Sequence, residues 1–228
     1  MAFCNSNLQI LKSVMTQLNK LIYREKWQLA WQSRPFRRQT ISGVITLIAV
    51  FIFLPFFFQA IEKRNGTVLN DWVLALLPPH NVSLFIFISI WVVTILIFIR
   101  MAQSPDIFIV FLWAYVLLCI LRIATISMVA LNAPKGLIEL ADPVSNFFYG
   151  HSFVTKDLFY SGHASSVFLI FYCLKKKSDK TVGLIGALIV SSLLLIQHVH
   201  YSIDVVAAPL FAYFCYMFSK KMIYDYSY

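Results

Sequence analysis

Apolar residues gather in six long stretches separated by short polar segments. The stretches span about residues 41–60, 82–99, 106–130, 161–174, 181–199 and 201–218. A helix needs roughly 20 apolar residues to cross the hydrocarbon core of a bilayer, so the pattern predicts an all-α integral membrane protein with a bundle of six transmembrane helices. The fourth stretch is the shortest and opens with polar residues. Only the turn around residue 200 separates the last two stretches, which predicts a tight helical hairpin.

A different periodicity marks residues 8–31, ahead of the first apolar stretch. Leucine, isoleucine and methionine recur there at helical spacing, with Lys12, Lys20, Arg24 and Lys26 between them. This pattern predicts an N-terminal amphipathic helix. Such a helix can lie on the anionic cytoplasmic leaflet or pack against the bundle, and the sequence leaves both arrangements open. The segment lacks the uninterrupted apolar core and the cleavage site of a signal peptide.

Composition and charge agree with a membrane protein and predict its topology. Of the 228 residues, 60% are hydrophobic and 13% are charged, whereas soluble domains have about half and about a quarter. The net charge of +9 would suit nucleic acid, but fourteen of the nineteen Lys and Arg residues fall on one side of the predicted spans. The positive-inside rule then places both termini in the cytoplasm. The predicted units are 1–40 (amphipathic helix and basic segment), 41–220 (six-helix membrane domain) and 221–228 (cytoplasmic tail).

Two polar clusters interrupt the apolar pattern on the same predicted, extracytoplasmic face. FYSGHASS (159–166) opens the fourth helix, and HVHYSID (198–204) lies between the fifth and sixth. His200 and Asp204 are four residues apart, so on a helix they share a face. A carboxylate that holds one ring nitrogen prepares the other as a nucleophile or base. The alternative is a structural histidine at a helix start, but ionisable residues at a membrane usually serve function.

The first cluster has the features of a phosphate site. Ser161 can cap the fourth helix, Gly162 permits close approach to the backbone, and His163 lies in the first turn. A helix N-terminus offers free N–H groups and a positive dipole to an anion, although an ordinary Ser-capped helix would look the same. Together the clusters supply what phosphoryl transfer requires, one histidine to attack phosphorus and another to protonate the leaving oxygen.

These motifs resemble a known family. SGH followed by a hydrophobic helix, and HYSIDVV after the next helix, are similar to the type 2 phosphatidic acid phosphatase superfamily, and most similar to its six-helical sphingomyelin synthase branch and bacterial relatives. LRIATISMVALNAPKG (121–136) resembles the third-helix segment of that branch, and the likeness covers roughly residues 70–220. It implies His200 as the nucleophile that forms a phosphohistidine, Asp204 as its orienting partner, and His163 as the acid that protonates the departing lipid alkoxide.

The chain departs from the phosphatases at their phosphate-binding cations. Their motif of Lys, six residues and Arg-Pro is matched only by Lys26 and Arg34-Pro35, which have seven residues between them and lie on the predicted cytoplasmic side. The Arg that they place six residues before the nucleophile is Leu194 here. A site with fewer cations suits a singly charged phosphodiester better than a doubly charged monoester. The resemblance therefore implies transfer of a phospho-head-group from a phospholipid to ceramide or diacylglycerol.

Arg122 and His198 are predicted to contribute to the same site. Arg122 lies about 12 Å from the outer end of the third span at helical rise. A buried arginine needs an anionic partner, for which Asp204 or the substrate is expected, and the alternative is a side chain that snorkels to the surface. His198 lies beside the catalytic pair, either as a supporting neighbour or at the surface.

Two acidic residues of the loop after the third span, Glu139 and Asp142, could orient His163.

The four cysteines lie far apart without metal-type spacing, so neither a disulfide nor a metal site is predicted, and a histidine nucleophile requires no cofactor. The expected partners are the membrane and its lipids. Two alternatives stay open: a lipid phosphate phosphatase that uses water as the acceptor, and a non-catalytic lipid-binding or transport protein, for which spans broken at Pro55 and Pro209 would be typical.

Overall fold

The computed structural model of the chain describes residues 2–140 and 154–225, and the regular elements within these ranges are helices, with one isolated β-bridge between Thr67 and Leu131. The helices are α1 (Ala2–Gln32), α2 (Arg34–Glu62), α3 (Trp72–Leu76), α4 (Ser83–Gln103), α5 (Pro105–Met128), α6 (Gly162–Cys173), α7 (Lys177–Ile196) and α8 (Ser202–Asp225).

Five of these helices, α2, α4, α5, α7 and α8, are long and apolar enough to cross a membrane, as an integral membrane protein requires. α6, the predicted fourth span, has 12 residues and rises only about 18 Å, so six crossing helices stay a prediction. α2 and α8 continue through Pro55 and Pro209, and the expectation that these prolines break spans is wrong. Neighbouring helices and local adjustment make proline tolerable inside membrane helices.

α1 includes the segment with the amphipathic pattern and is a continuous helix. A break at Ser33, followed by Pro35 in the first turn of α2, separates α1 from α2; proline suits a first turn because the N–H that it lacks has no helical partner there. Trp27 Nε1 donates to the carbonyl of Ala102 at the end of α4 (2.9 Å), and the Trp27 ring lies against Phe108 of α5. The end of α1 thus packs against the bundle, and its location at a membrane surface stays a prediction.

α6 occupies the centre of the bundle. It packs against α8, α7 and α5, and most of its side chains are buried, including Ala164, Leu169 and Ile170. The predicted hairpin partners α7 and α8 are joined by the short turn 197–201, but they barely touch each other because α8 packs on α6 and α5 instead. The outer helices expose apolar side chains such as Ile52, as a lipid-facing surface requires.

Ends of the seven helices α2 to α8 meet at one side of the bundle, which we call the histidine face. Its segments are residues 61–82, 129–140, 154–161 and 197–202. Backbone hydrogen bonds join these segments across the bundle, such as those from Thr67 N–H to the Ala130 carbonyl (3.0 Å) and from His80 N–H to the Ile196 carbonyl (3.0 Å). The connections between the helices therefore form one linked layer beside the clusters that the sequence singles out.

Asp71 links two segments of the histidine face because its carboxylate caps both α3 and α8. Its Oδ1 accepts from the backbone N–H groups of Val73 and Leu74 in α3 (3.0 and 3.3 Å). Its Oδ2 accepts from both the N–H and the hydroxyl of Ser202, the first residue of α8 (2.6 and 2.8 Å). Partial burial raises the pKa of Asp71, but the accepted hydrogen bonds, led by those from Ser202, outweigh it and lower the pKa below its ordinary value. The ionised carboxylate is therefore the form that stabilises the fold.

The substitution Asp71→Asn is expected to lower the melting temperature at neutral pH, because the amide keeps one acceptor oxygen but brings its NH2 group against the donors of either α3 or Ser202. Loss of such a hydrogen bond costs about 1 kcal/mol. Since the pKa of Asp71 is lower in the folded than in the unfolded protein, its contribution is complete above the unfolded pKa of about 3.9 and is lost as the pH falls through the folded pKa. Thermal unfolding of the detergent-solubilised protein from about pH 7 down to about pH 3 measures this.

The matched control is Asp106→Asn, because Asp106 is an exposed carboxylate, 3.5 Å from the exposed Lys175. An effect of Asp71→Asn that is the same at every pH, or no larger than that of the control, would contradict the double cap.

Candidate active site

The two polar clusters meet at the histidine face. The backbone N–H of Ser161, one residue before α6, donates to the carbonyl of Asp204 in the first turn of α8 (3.2 Å). Next to this bond, the Tyr160 ring stacks on Phe211 of α8 with centroids 4.2 Å apart, and the Tyr160 hydroxyl donates to the carbonyl of Leu118 (2.9 Å). The segment before α6 is therefore joined to the start of α8 by its backbone, and to the middle of α8 and to α5 by the Tyr160 side chain.

Ser161 caps α6, as its position in the sequence predicts. Its hydroxyl accepts from the N–H of Ala164 (3.3 Å), and the residue is fully buried. His163, two residues along, is half-buried, and its ring meets Phe87 of α4 edge-on with centroids 6.3 Å apart. Because the Ser161 hydroxyl already serves the helix, an anion at this helix start would be bound chiefly by backbone N–H groups and by neighbouring side chains.

Arg122 of α5 reaches the start of α6 across a glycine. An ideal Cβ built on Gly162 would lie 1.3 Å from Nη1 of Arg122, so only glycine lets the guanidinium lie against this backbone. Thr125, one turn along α5, donates from its hydroxyl to the carbonyl of Phe159 (3.0 Å). α5 therefore contacts the chain at and just before the start of α6 through both Arg122 and Thr125. The guanidinium of Arg122 is a cation beside the positive N-terminus of α6, and this arrangement is unfavourable without an anion.

Asp157 supplies an anion from within the chain. Arg122 Nε donates to Asp157 Oδ1 (3.0 Å), and Nη2 pairs with Oδ2, which is the bidentate geometry of strong ion pairs. Arg122 is 13% exposed, so it does not snorkel to the surface. The expectation of Asp204 as its partner is wrong, since Asp204 lies beside His200 instead. Asp157 was missed, and the only signal for it was its position four residues before Ser161.

His200 and Asp204 face each other at the turn before α8. His200 precedes the helix, which begins at Ser202, so a turn rather than a helical repeat brings the two side chains together. His200 Nδ1 lies 3.5 Å from Asp204 Oδ2, a distance typical of an ion pair but too long for a good hydrogen bond. The same Oδ2 accepts from the N–H of Tyr201 (3.1 Å). Both side chains are buried, 4% and 0% exposed.

Two buried atoms of this pair, His200 Nδ1 and Asp204 Oδ1, have no hydrogen-bond partner among the residues that the structure describes. Buried polar atoms are nearly always paired, and leaving one unpaired costs about 1–3 kcal/mol. Catalytic hydrogen bonds are often long in the absence of substrate and shorten in the complex. A slightly closer approach would pair Nδ1 with the carboxylate and leave Nε2 of His200 to act on a substrate.

His198 lies beside the site as a supporting neighbour rather than at the surface. The residue is buried and has a positive φ of 55°. Its Nδ1 lies 2.9 Å from the carbonyl of Lys135, and its Nε2 lies 2.9 Å from the carbonyl of Leu77. The ring thus ties two loops of the histidine face together, and its nitrogens are occupied by backbone rather than turned to a phosphate.

Gln197 is a second supporting residue, and the sequence analysis missed it. Its fully buried side chain accepts from the N–H of Val82 (3.1 Å) and donates to Ser83 Oγ (2.8 Å) and to the carbonyl of Glu139 (3.1 Å). Glu139 itself is exposed, and its carboxylate forms no bond within the described ranges, so its predicted role in orienting His163 has no support there. Asp142 lies outside the described residues.

The cations on which the phosphatases rely are missing from this region. Leu194, where their arginine stands, is fully buried near the end of α7. Lys26 and Arg34 lie at the opposite side of the bundle, because neighbouring Trp27 contacts the last turn of α4 and α4 begins at the histidine face. No group of three or more His, Cys, Asp or Glu side chains within residues 2–140 and 154–225 is arranged to hold a metal ion.

Comparison with known proteins supports the resemblance at the level of the superfamily. Residues 154–221 match the family model described as PAP2 superfamily C-terminal, and this supports placing the chain in the type 2 phosphatidic acid phosphatase superfamily. The matched segment contains Asp157, His163, His200 and Asp204, whereas Arg122 precedes it. No curated protein matches the chain. The match covers less than a third of the chain, and the superfamily to which it points consists generally of phosphatases and phosphotransferases.

Gly162→Ala is expected to destabilise the protein, because the new methyl group overlaps Arg122 and must displace it from Asp157. Overpacking of this kind costs about 1–3 kcal/mol. In an Arg122→Ala background the overlap is gone, and the same substitution should cost clearly less. Unfolding of the four proteins in mixed detergent micelles measures the coupling. Equal costs in the two backgrounds would show that Arg122 does not lie against this backbone.

Proposed function

We propose that this chain is a membrane lipid phosphotransferase, which moves a phospho-head-group from a phospholipid to ceramide or diacylglycerol through a phosphohistidine intermediate. The observation that carries the proposal is the hydrogen bond from Ser161 N–H to the Asp204 carbonyl (3.2 Å), because it joins the helix start that bears His163 to the turn that bears His200. The family match over residues 154–221 and the likeness to the sphingomyelin synthase branch support the same chemistry.

In the first half-reaction His200 is the nucleophile. Its Nδ1 faces Asp204, so Nε2 attacks the phosphorus of the donor phospholipid. The N–P bond forms as the P–O bond to the diacylglycerol of the donor breaks, and His163 gives its proton to the departing alkoxide. The head-group phosphate then stays on His200, and diacylglycerol leaves.

In the second half-reaction the acceptor takes the phosphate from His200. His163, now neutral, removes the proton from the primary hydroxyl of ceramide or diacylglycerol. The acceptor oxygen attacks phosphorus, the N–P bond breaks, and both histidines return to their starting protonation states. Water in place of the lipid alcohol would make the same machinery a phosphatase.

The charge of the site favours the transferase over the phosphatase. Arg122 is bound to Asp157, so the pair offers directed N–H donors with little net charge, and Leu194 offers none. A phosphodiester carries one negative charge, which the start of α6 and Arg122 can accommodate. A phosphomonoester carries nearly two, and burying the second charge without a cation is costly.

The proposed orientation places the histidine face on the extracytoplasmic side and both termini in the cytoplasm. Fourteen of the nineteen Lys and Arg residues lie on the other side of the predicted spans, which supports this orientation by the positive-inside rule. The corresponding membrane is the inner membrane in a bacterium, or the Golgi or plasma membrane in a eukaryote.

Head-group transfer is tested with the purified protein, fluorescent ceramide or fluorescent diacylglycerol, and phospholipid donors with choline, ethanolamine, glycerol or inositol head groups. Thin-layer chromatography is expected to reveal a new polar fluorescent lipid. His200→Ala should reduce its formation about 10³-fold or more, since the nucleophile is lost. His80→Ala is the matched control, because the His80 side chain is exposed and its Nδ1 lies 2.8 Å from the carbonyl of Pro78 in its own loop.

Two outcomes would overturn the transferase. Release of phosphate from phosphatidic acid that depends on His200, without transfer to either acceptor, would establish the phosphatase instead. Absence of both head-group transfer and phosphate release, in a folded protein that binds lipid, would favour a non-catalytic lipid-binding or transport protein.

A donor with a good leaving group distinguishes the proposed nucleophile, His200, from the proposed acid, His163. A nitrophenyl ester of the active head-group phosphate needs no proton on its leaving phenolate. We therefore expect a burst of nitrophenolate, equal to the amount of enzyme, from wild type and from His163→Ala, but none from His200→Ala. A burst from His200→Ala, or its loss in both variants, would contradict the assignment of nucleophile and acid.

A further inference from the structure

A groove of about 630 Å³ lies at the junction of α1 and α2, far from the histidine face. Its lining residues are Arg24, Trp27, Gln28, Trp31, Gln32 and Arg37. The groove lies where the chain breaks at Ser33, between the end of α1 and the start of α2. The proposed catalytic chemistry uses none of these residues.

The aromatic walls of the groove are anchored to the membrane domain. Trp27 donates to the Ala102 carbonyl at the far end of α4, and both Trp27 and Trp31 pack edge-on against Phe36, with ring centroids 6.1 and 5.9 Å apart. The groove therefore lies at the end of the bundle opposite the histidine face, which is a membrane surface in the predicted topology. Tryptophan is the residue typical of this depth, where one side of the ring is apolar and the other is wet.

The polar walls of the groove carry hydrogen-bond donors and an excess of positive charge. Arg24 and Arg37 come from different helices, both are exposed, and their guanidinium groups form no ion pair within the described residues. Gln28 and Gln32 add amide donors, and no carboxylate lines the groove. Two exposed guanidinium groups that line one open groove can both donate charge-assisted hydrogen bonds to an anion bound there.

Apolar surface continues from the groove along α1. Leu21 and Leu29 are 56% and 66% exposed, and Ile41 and Ile45, further along α2, are exposed as well. A ligand that fits all of these features has an anionic head, hydroxyl groups for the glutamines, and long apolar chains. An anionic phospholipid has this combination, whereas a zwitterionic lipid would bring its ammonium group against the two arginines.

We propose that this groove binds the head-group phosphate of an anionic glycerophospholipid from the membrane surface opposite the catalytic site, separately from the substrates. Arg24 and Arg37 hold the phosphodiester from two sides, and the glutamines bond to the polar head group beyond it. The bound lipid fastens the end of α1 to the start of α2 and so fixes the amphipathic helix at that surface. The proposal does not depend on the reaction at the histidine face.

Native mass spectrometry of the full chain, released from nanodiscs that contain phosphatidylglycerol and phosphatidylcholine, tests the site. One phosphatidylglycerol is expected to stay bound to the wild type. Arg24→Gln/Arg37→Gln should weaken its retention at least about tenfold more than Lys26→Gln/Arg34→Gln, because loss of charged hydrogen bonds exceeds the general attraction of a basic surface. The control removes the same two charges from residues that do not line the groove.

Each other outcome overturns the proposal. Equal weakening in both double variants would mean a diffuse basic surface without a site. Equal retention of phosphatidylcholine would mean that the groove does not select an anion. Displacement of the lipid by millimolar inorganic phosphate would make free phosphate the ligand. The last two measurements need only the wild-type protein, so they hold even if a variant fails to fold, which circular dichroism would reveal.

Discussion

The hydrogen bond from Ser161 N–H to the Asp204 carbonyl (3.2 Å) is the link on which the arrangement of the candidate site depends. The N–H of a residue that precedes a helix has no helical carbonyl to reach, and inside a membrane protein there is little water to replace one. Ser161 satisfies its N–H on the neighbouring helix, and this fixes the start of α6 against the start of α8. His163 follows two residues later and His200 comes four residues before Asp204, so both histidines are positioned by one backbone contact.

The same demand of backbone groups for partners explains most other polar side chains at the histidine face. Asp71 accepts hydrogen bonds from N–H groups of α3 and α8, and Gln197 accepts one from the N–H just before α4. The ring nitrogens of His198 lie within hydrogen-bond distance of two loop carbonyls. A polar residue near a membrane is usually read as functional, yet these three act on the chain itself. His200 and Asp204 differ from these three residues because each keeps a buried polar atom without a partner among the described residues.

The spacing of apolar and polar residues along the chain predicted the local features of the structure, namely its helices and the cap of α6. The apolar stretches predicted the helices to within a few residues, apart from the N-terminal extension of α2 and the C-terminal extension of α8, and Ser161 caps α6 as its sequence neighbours suggest. Sequence distance carries no information on which segments meet across a bundle, so the Arg122 and Asp157 pair, 35 residues apart, and the Asp71 and Ser202 cap, 131 residues apart, were missed. The same reason explains why α7 and α8 do not pack against each other as the predicted hairpin would. Both helices pack on α6 at the centre of the bundle, and no local sequence pattern predicts that position for α6.

The charges at the starts of α6 and α8 bear on which phosphate the proposed site would suit. α6 and α8 both begin there, and each N-terminus carries about half a positive charge. In α8 this charge is met by Asp204 in the first turn, whereas α6 has no acidic residue in its first turn, and the nearby Asp157 is bound to Arg122. The uncompensated charge beside Gly162 is therefore small and positive. In the proposed reaction the donor, the phosphohistidine and the product each carry one negative charge on phosphate, while His163 in the first turn of α6 loses a proton in the first half-reaction and regains one in the second. A monoester would add a second charge that nothing at this helix start offsets.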